Sequence, residues 1–140
     1  MNILLHPDPM LRQVSTVIKT VDAEFKHRVK RMFRLMHGSK GVGLAAIQVG
    51  WPVRMFIAKD VVFINPVLSN MSQRTETEEE GCLSLPGRFG MVKRSYRVHM
   101  SAWGLNGKEI RTEMEGTIAR IVQHEMDHLN GILFFDREEK

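Results

Sequence analysis

From Asp22 to Met36 the apolar residues Phe25, Val29, Met32, Phe33 and Met36 return every three or four positions, the repeat of one helix face. Asp22 stands where an N-cap oxygen is wanted, and Gly38 follows the run as a stop. A second such face runs through Ile118, Ile121, Val122, Met126 and Leu129, with Gly116 before it and Asn130-Gly131 closing it. Between the two helices the period shortens. Arg54 to Ala58 and Val61 to Ile64 are short β-like runs, and Asn65-Pro66 is expected to end the second. Tyr96 to Trp103 alternates as a strand does, and Leu105-Asn106-Gly107 offers a turn into Ile110 to Met114. The polar stretch from Ser69 to Glu80, with Glu76, Glu78, Glu79 and Glu80, predicts a solvated hairpin or loop. His6-Pro7-Asp8-Pro9 predicts an irregular arm, and the small residues of Gly41-Val42-Gly43-Leu44-Ala45-Ala46 permit close backbone approach.

A helix, several strands and a second helix, with no internal repeat or linker, predict an α+β fold. Its mainly antiparallel sheets should pack around the second helix, in a single domain over residues 1–140. That length suffices for one sizeable core. Hydrophobic content of 43% with 26% charged residues sets disorder aside as the starting assumption. Cys82 is the one cysteine, so no disulfide can form within the chain. Pro7, Asp8 and Pro9 break the apolar start too early for a signal-peptide core, and no apolar run approaches the roughly 20 residues that span a bilayer. A cytoplasmic monomer without a membrane partner is the expectation. The net charge is +4, and Lys26, Arg28, Lys30, Arg31 and Arg34 fall on the first predicted helix. A solvated face is the ordinary reading of such a run; attraction to RNA phosphates is the alternative. No aromatic residue is interleaved to read bases, so no sequence-specific nucleic-acid binding is expected.

The chemistry is concentrated in His124-Glu125-Met126-Asp127-His128. Histidines four apart on a helix project from one face and can share a metal ion. Glu125 beside them is a candidate general base for water. A catalytic site of this type needs a third ligand and one open position. The pattern HExxHxxGxxH matches through Gly131 and then fails, because Phe134 stands where the third histidine belongs. A downstream glutamate ligand is poorly served by Glu138 and Glu139, which lie in a charged tail. Cys82, within Glu80-Gly81-Cys82-Leu83-Ser84, remains. A lone cysteine is more often a small buried hydrophobe, yet a Cys-His-His set would suit iron(II), nickel, cobalt or zinc. A metalloprotease and an inactive metal-binding protein stay open on these residues alone. Met32, Met36 and Met126 read as packing residues.

Three segments together resemble the peptide deformylase family. Gly41-Val42-Gly43-Leu44-Ala45-Ala46-Ile47-Gln48 is similar to its first motif, Glu80-Gly81-Cys82-Leu83-Ser84 to its second and Gln123-His124-Glu125-Met126-Asp127-His128 to its third, in the family's order. Phe63-Ile64-Asn65-Pro66 and Asn130-Gly131-Ile132-Leu133-Phe134 resemble flanking family segments. The likeness spans nearly the whole chain. It implies hydrolysis of the N-formyl group of N-formylmethionyl peptides, the nascent chains of bacterial-type translation, with release of formate.

By the same resemblance Cys82, His124 and His128 hold one divalent ion, iron(II) in many members, with zinc, nickel or cobalt as replacements. Glu125 moves the proton, and the Gln48 side chain with the Leu83 backbone N–H stabilises the oxyanion. Val42, Gly43 and Gly81 are expected to pair with the peptide backbone, and Ile121 with Val42 to line the methionine pocket. Arg120 falls at the pocket rim or in solvent, Asp127 is ambiguous, and Glu80 with Arg94 is a candidate structural ion pair. Ile47 replaces a frequent proline or threonine, and Phe89 stands where some members are basic. The chain stops soon after Phe134-Phe135-Asp136, so the likeness is to a short form without the C-terminal helix linked to ribosome docking. Transient ribosome association is then expected only without that helix.

Overall fold

The computed structural model describes residues 1–139. Two helices, α1 (Ala23–Gly38) and α2 (Thr117–Leu129), and seven strands make up the regular structure. The strands are β1 (Gly43–Ala45), β2 (Met55–Ala58), β3 (Val61–Ser69), β4 (Thr75–Cys82), β5 (Leu85–Ser95), β6 (Arg97–Trp103) and β7 (Glu109–Glu115). All pairings between them are antiparallel, in a five-stranded sheet of order β1-β2-β3-β6-β7 and a separate β4-β5 hairpin. The α+β expectation holds. Neither helix is long and apolar enough to cross a membrane.

α1 begins where Asp22 accepts a hydrogen bond from the Phe25 N–H at 2.8 Å, and it buries Phe25, Val29, Met32 and Met36. Those side chains meet Leu44, Met55, Ile57, Val62 and Ile64 on one face of the large sheet. On the other face Phe56, Ala58, Phe63, Val98, Met100 and Ala102 meet Ala119, Val122 and Leu129 of α2. Successive residues of β2 therefore point to different helices, which is why all four are buried. Met126 packs against the α2 cluster, as its spacing predicts.

One sequence expectation needs correction, and a second becomes more definite. β3 does not end at Asn65-Pro66 but runs through them to Ser69, with a register shift between Ile64 and Val67. Asn65 takes a left-handed φ of 49° and exchanges two 2.8 Å hydrogen bonds with the Ile18 backbone. The irregularity accommodates a proline that a regular central ladder would reject. The stretch read as a solvated hairpin or loop up to Glu80 supplies strand β4, whose partner β5 shows no clear alternation. The hairpin is mostly exposed; its ladder, the ions around Glu80 and the packing of Leu85 and Val92 against Leu11, Leu133 and Phe134 hold it. Leu105-Asn106-Gly107 does form the β6–β7 turn, with Gly107 at φ 77°.

Candidate active site

Three chain segments meet at one pocket. β1 and the 3-10 turn Ala46–Val49 bring Gly43 and Gln48; the end of β4 brings Gly81 and Cys82; α2 brings Ile121, His124, Glu125 and His128. The cavity between them is about 550 Å³, with Val42, Leu83 and Phe89 also on its wall. Every catalytic, substrate-binding and metal-ligand candidate from the sequence lies at it or, for His128, in the candidate ligand cluster behind it.

Cys82 Sγ and one nitrogen each of His124 and His128 lie within 4.8 Å of one another, and Cys82 Sγ is 3.4 Å from His128 Nε2. His124 Nδ1 is 2.9 Å from Glu80 Oε1, which fixes the ring and turns Nε2 away from that carboxylate. Burial, reinforced by the charges of His124 and Arg94, holds the His128 pKa well below its ordinary value, so its ring is neutral. At His124 burial also opposes the charged form, but hydrogen bonds to Cys82 and Glu80 and the charge of Glu125 prevail and raise it to about 10. The surroundings of His124 thus favour positive charge. One sulfur and two imidazoles beside such surroundings fit a divalent cation of the iron, cobalt, nickel or zinc kind.

Glu125 is buried, and its Oε1 has no hydrogen-bond partner among the described residues. Burial raises its pKa to about 7, against the lowering influence of His124 and Arg94. Gly43 explains part of that burial, because a Cβ there would come within 2.5 Å of Glu125 Oε2. Gln48 is held at both ends. Its Oε1 accepts the Ala45 N–H at 2.9 Å, and its Nε2 donates to Ser84 Oγ at 3.0 Å and lies 3.5 Å from Cys82 Sγ. Leu83 occupies the turn between β4 and β5, outside both strands.

Around the ligands runs a buried ionic network. Arg94 donates to both oxygens of Glu80 at 2.9 Å and to Asp127 at 2.6 Å. Arg120 is buried rather than solvated, and it donates to Glu80, the Val92 carbonyl and the Glu76 carbonyl. Asp127 is also buried and takes two further hydrogen bonds from Arg137. The Glu80–Arg94 pair is therefore real and larger than a pair. Ser84, Arg137 and the ring of Phe134, stacked on His124 with centroids 6.3 Å apart, had no sequence-derived role. Ser84 sits inside the Glu80–Ser84 motif, whereas the charged tail gave no sign that the exposed Arg137 pairs with Asp127.

The sequence matches the family described as Polypeptide deformylase over residues 1–140. The chain belongs to that deformylase family. A peptide deformylase from Rhodopirellula baltica is 44% identical over 146 aligned positions, covering 98% of this chain and 72% of that protein. A chloroplastic peptide deformylase 1B from rice is 38% identical, over 98% of this chain and 54% of its own length. The Thermotoga maritima peptide deformylase crystal structure superposes with a TM-score of 0.97 at 38% identity, over 99% of this chain and 97% of that one. Metal-dependent removal of the formyl group from N-formylmethionine is the activity of this deformylase, and the Cys82, His124 and His128 cluster is its metal-site candidate.

Proposed function

We propose that Glu125 carries the proton in deformylation, that Gln48 and the Leu83 N–H hold the formyl oxygen, and that Cys82, His124 and His128 hold iron(II), which zinc, nickel or cobalt can replace. The observation that carries this reading is Glu125 itself. A buried carboxyl at the pocket wall, with one free oxygen and a pKa near 7, can accept and return a proton at neutral pH. When bound, the divalent ion supplies Lewis acidity that lowers the pKa of water and polarises the formyl group.

Water adds through its oxygen to the formyl carbon while Glu125 takes one of its protons. The formyl oxygen gains negative charge between the Leu83 N–H and Gln48 Nε2–H, the latter on an amide that Ala45 and Ser84 hold in place before the reaction begins. The C–N bond then breaks, Glu125 returns the proton to the amine nitrogen, and formate leaves. Val42 and Gly43 on one wall and Gly81 on the other pair with the peptide backbone, while Ile121 contacts the methionine side chain. Main-chain pairing accepts many downstream sequences, as N-formylmethionyl nascent chains require. The enzyme works as a single-domain monomer in transient association with the ribosome, in a bacterial-type cytoplasm or, as the rice relative suggests, an organelle.

Anaerobic iron(II)-loaded protein should release formate from formyl-Met-Ala-Ser, and Glu125→Ala should lose roughly 10²–10⁴ of that rate. Undiminished formate from Glu125→Ala, or internal cleavage without formate, overturns the assignment.

A further inference from the structure

The whole net charge of the chain, +4, resides on one element. α1 carries Lys26, Arg28, Lys30, Arg31 and Arg34 against Glu24 alone. Removing those five from 20 basic residues and that one from 16 acidic residues leaves 15 of each sign elsewhere. Arg28 is engaged locally, 3.6 Å from Glu24 and over the Trp51 ring. Lys26, Lys30, Arg31 and Arg34 are exposed, and among the described residues none has a carboxylate within 4.0 Å. At 3.6 residues per turn they fall within about 140° of arc, facing away from Val29 and Met32. The exposed rings of His27 and His37 share that arc, and the stripe leads on to Lys40 at the rim of the active-site pocket.

We infer that this stripe docks the phosphate backbone of RNA without reading its sequence, and holds the pocket mouth beside the RNA surface. Four unpaired cations on a rigid helix match a polyanion and gain affinity by releasing its counterions. No large apolar side chain of α1 is exposed, so the helix lacks the face that would insert into a bilayer. Nor does it expose a Phe, Tyr or Trp ring; the rings it presents are the imidazoles of His27 and His37. The choice of RNA rests on the reading above that the substrates are nascent chains, made on an RNA machine.

The test is fluorescence anisotropy with a labelled duplex RNA between 50 and 200 mM salt. Four phosphate contacts on a duplex give a slope of log affinity against log salt of about −3.6, a loss of roughly 150-fold across that range. Lys30→Glu with Arg34→Glu should weaken binding at least about tenfold and roughly halve the slope. Lys108→Glu with Arg111→Glu, the same charge change on the β6–β7 hairpin, should leave both unchanged. Turnover of free formyl-Met-Ala-Ser should stay at the wild-type level in both double variants, which shows that they are folded and separates docking from catalysis. Salt-independent or absent RNA binding by the wild type, equal loss in both double variants, or capture by phosphatidylserine vesicles without RNA binding each overturns the inference.

Discussion

α1 and α2 flank the same sheet and both are amphipathic in pattern, yet they treat polar residues in opposite ways. Every buried residue of α1 is apolar, and its charges stand in water. α2 buries Arg120, Gln123, Glu125, Asp127 and His128 along with its apolar face. An isolated buried charge costs several kcal/mol even after the protein relaxes. α2 tolerates its ions because Arg94, Arg120 and Arg137 meet Glu80 and Asp127 in one closed network, and because Gln123 bonds both the N–H and the carbonyl of Ser95. One helix is held by its apolar stripe alone; the other is held by its apolar face and, in addition, by ions that fix the orientation of His124 and His128.

That contrast can be broken experimentally, most sharply at Arg94. Arg94→Met leaves Glu80 and Asp127 without their shared partner, and urea unfolding should show a loss of about 3–5 kcal/mol. A change below 1 kcal/mol would mean that the network does not hold α2. Gly43→Ala pushes a methyl group against the Glu125 carboxyl, so kcat/KM for a formyl peptide should fall about 10²-fold while the unfolding midpoint barely moves. On the other helix the effects shrink. Asp22→Ala removes the cap of α1 and should cost about 1 kcal/mol, read from the same urea curves. Arg34→Gln, at an exposed and unpaired position, should stay within about 0.5 kcal/mol of wild type.

The same difference governs how much the sequence revealed. α1, β2 and the β6–β7 hairpin were legible because α1 has an apolar face of helical period, β2 is a short continuous apolar run and the hairpin has a turn of the right residues. β4 was legible only as a solvated hairpin or loop, because the side chain that anchors it is Glu80, and a glutamate that faces arginines reads like one that faces water. Asn65-Pro66 reads as a terminus from local preference; its rescue by the Ile18 backbone lies 47 residues away. The HExxH spacing pointed to two candidate ligands and a candidate base from helix geometry alone. Cys82 and Gln48 became legible through their motifs, since nothing local distinguishes them from a core thiol and a polar surface residue. Arg137 and Ser84 gained meaning only when folding brought them to Asp127 and Gln48.

The hold on Gln48 has a directional consequence. An amide has a donating end and an accepting end, and free rotation would let either face the thiol. With the Ala45 N–H occupying the oxygen, the nitrogen is left pointing toward Ser84 and Cys82. The side chain behaves as a keyed plug that fits its socket one way round. Glutamate has the same outline but no key, since both of its ends accept when it is ionised. Gln48→Glu would keep the shape of this wall and reverse its polarity, and the key itself is cut three residues upstream, in the backbone of Ala45.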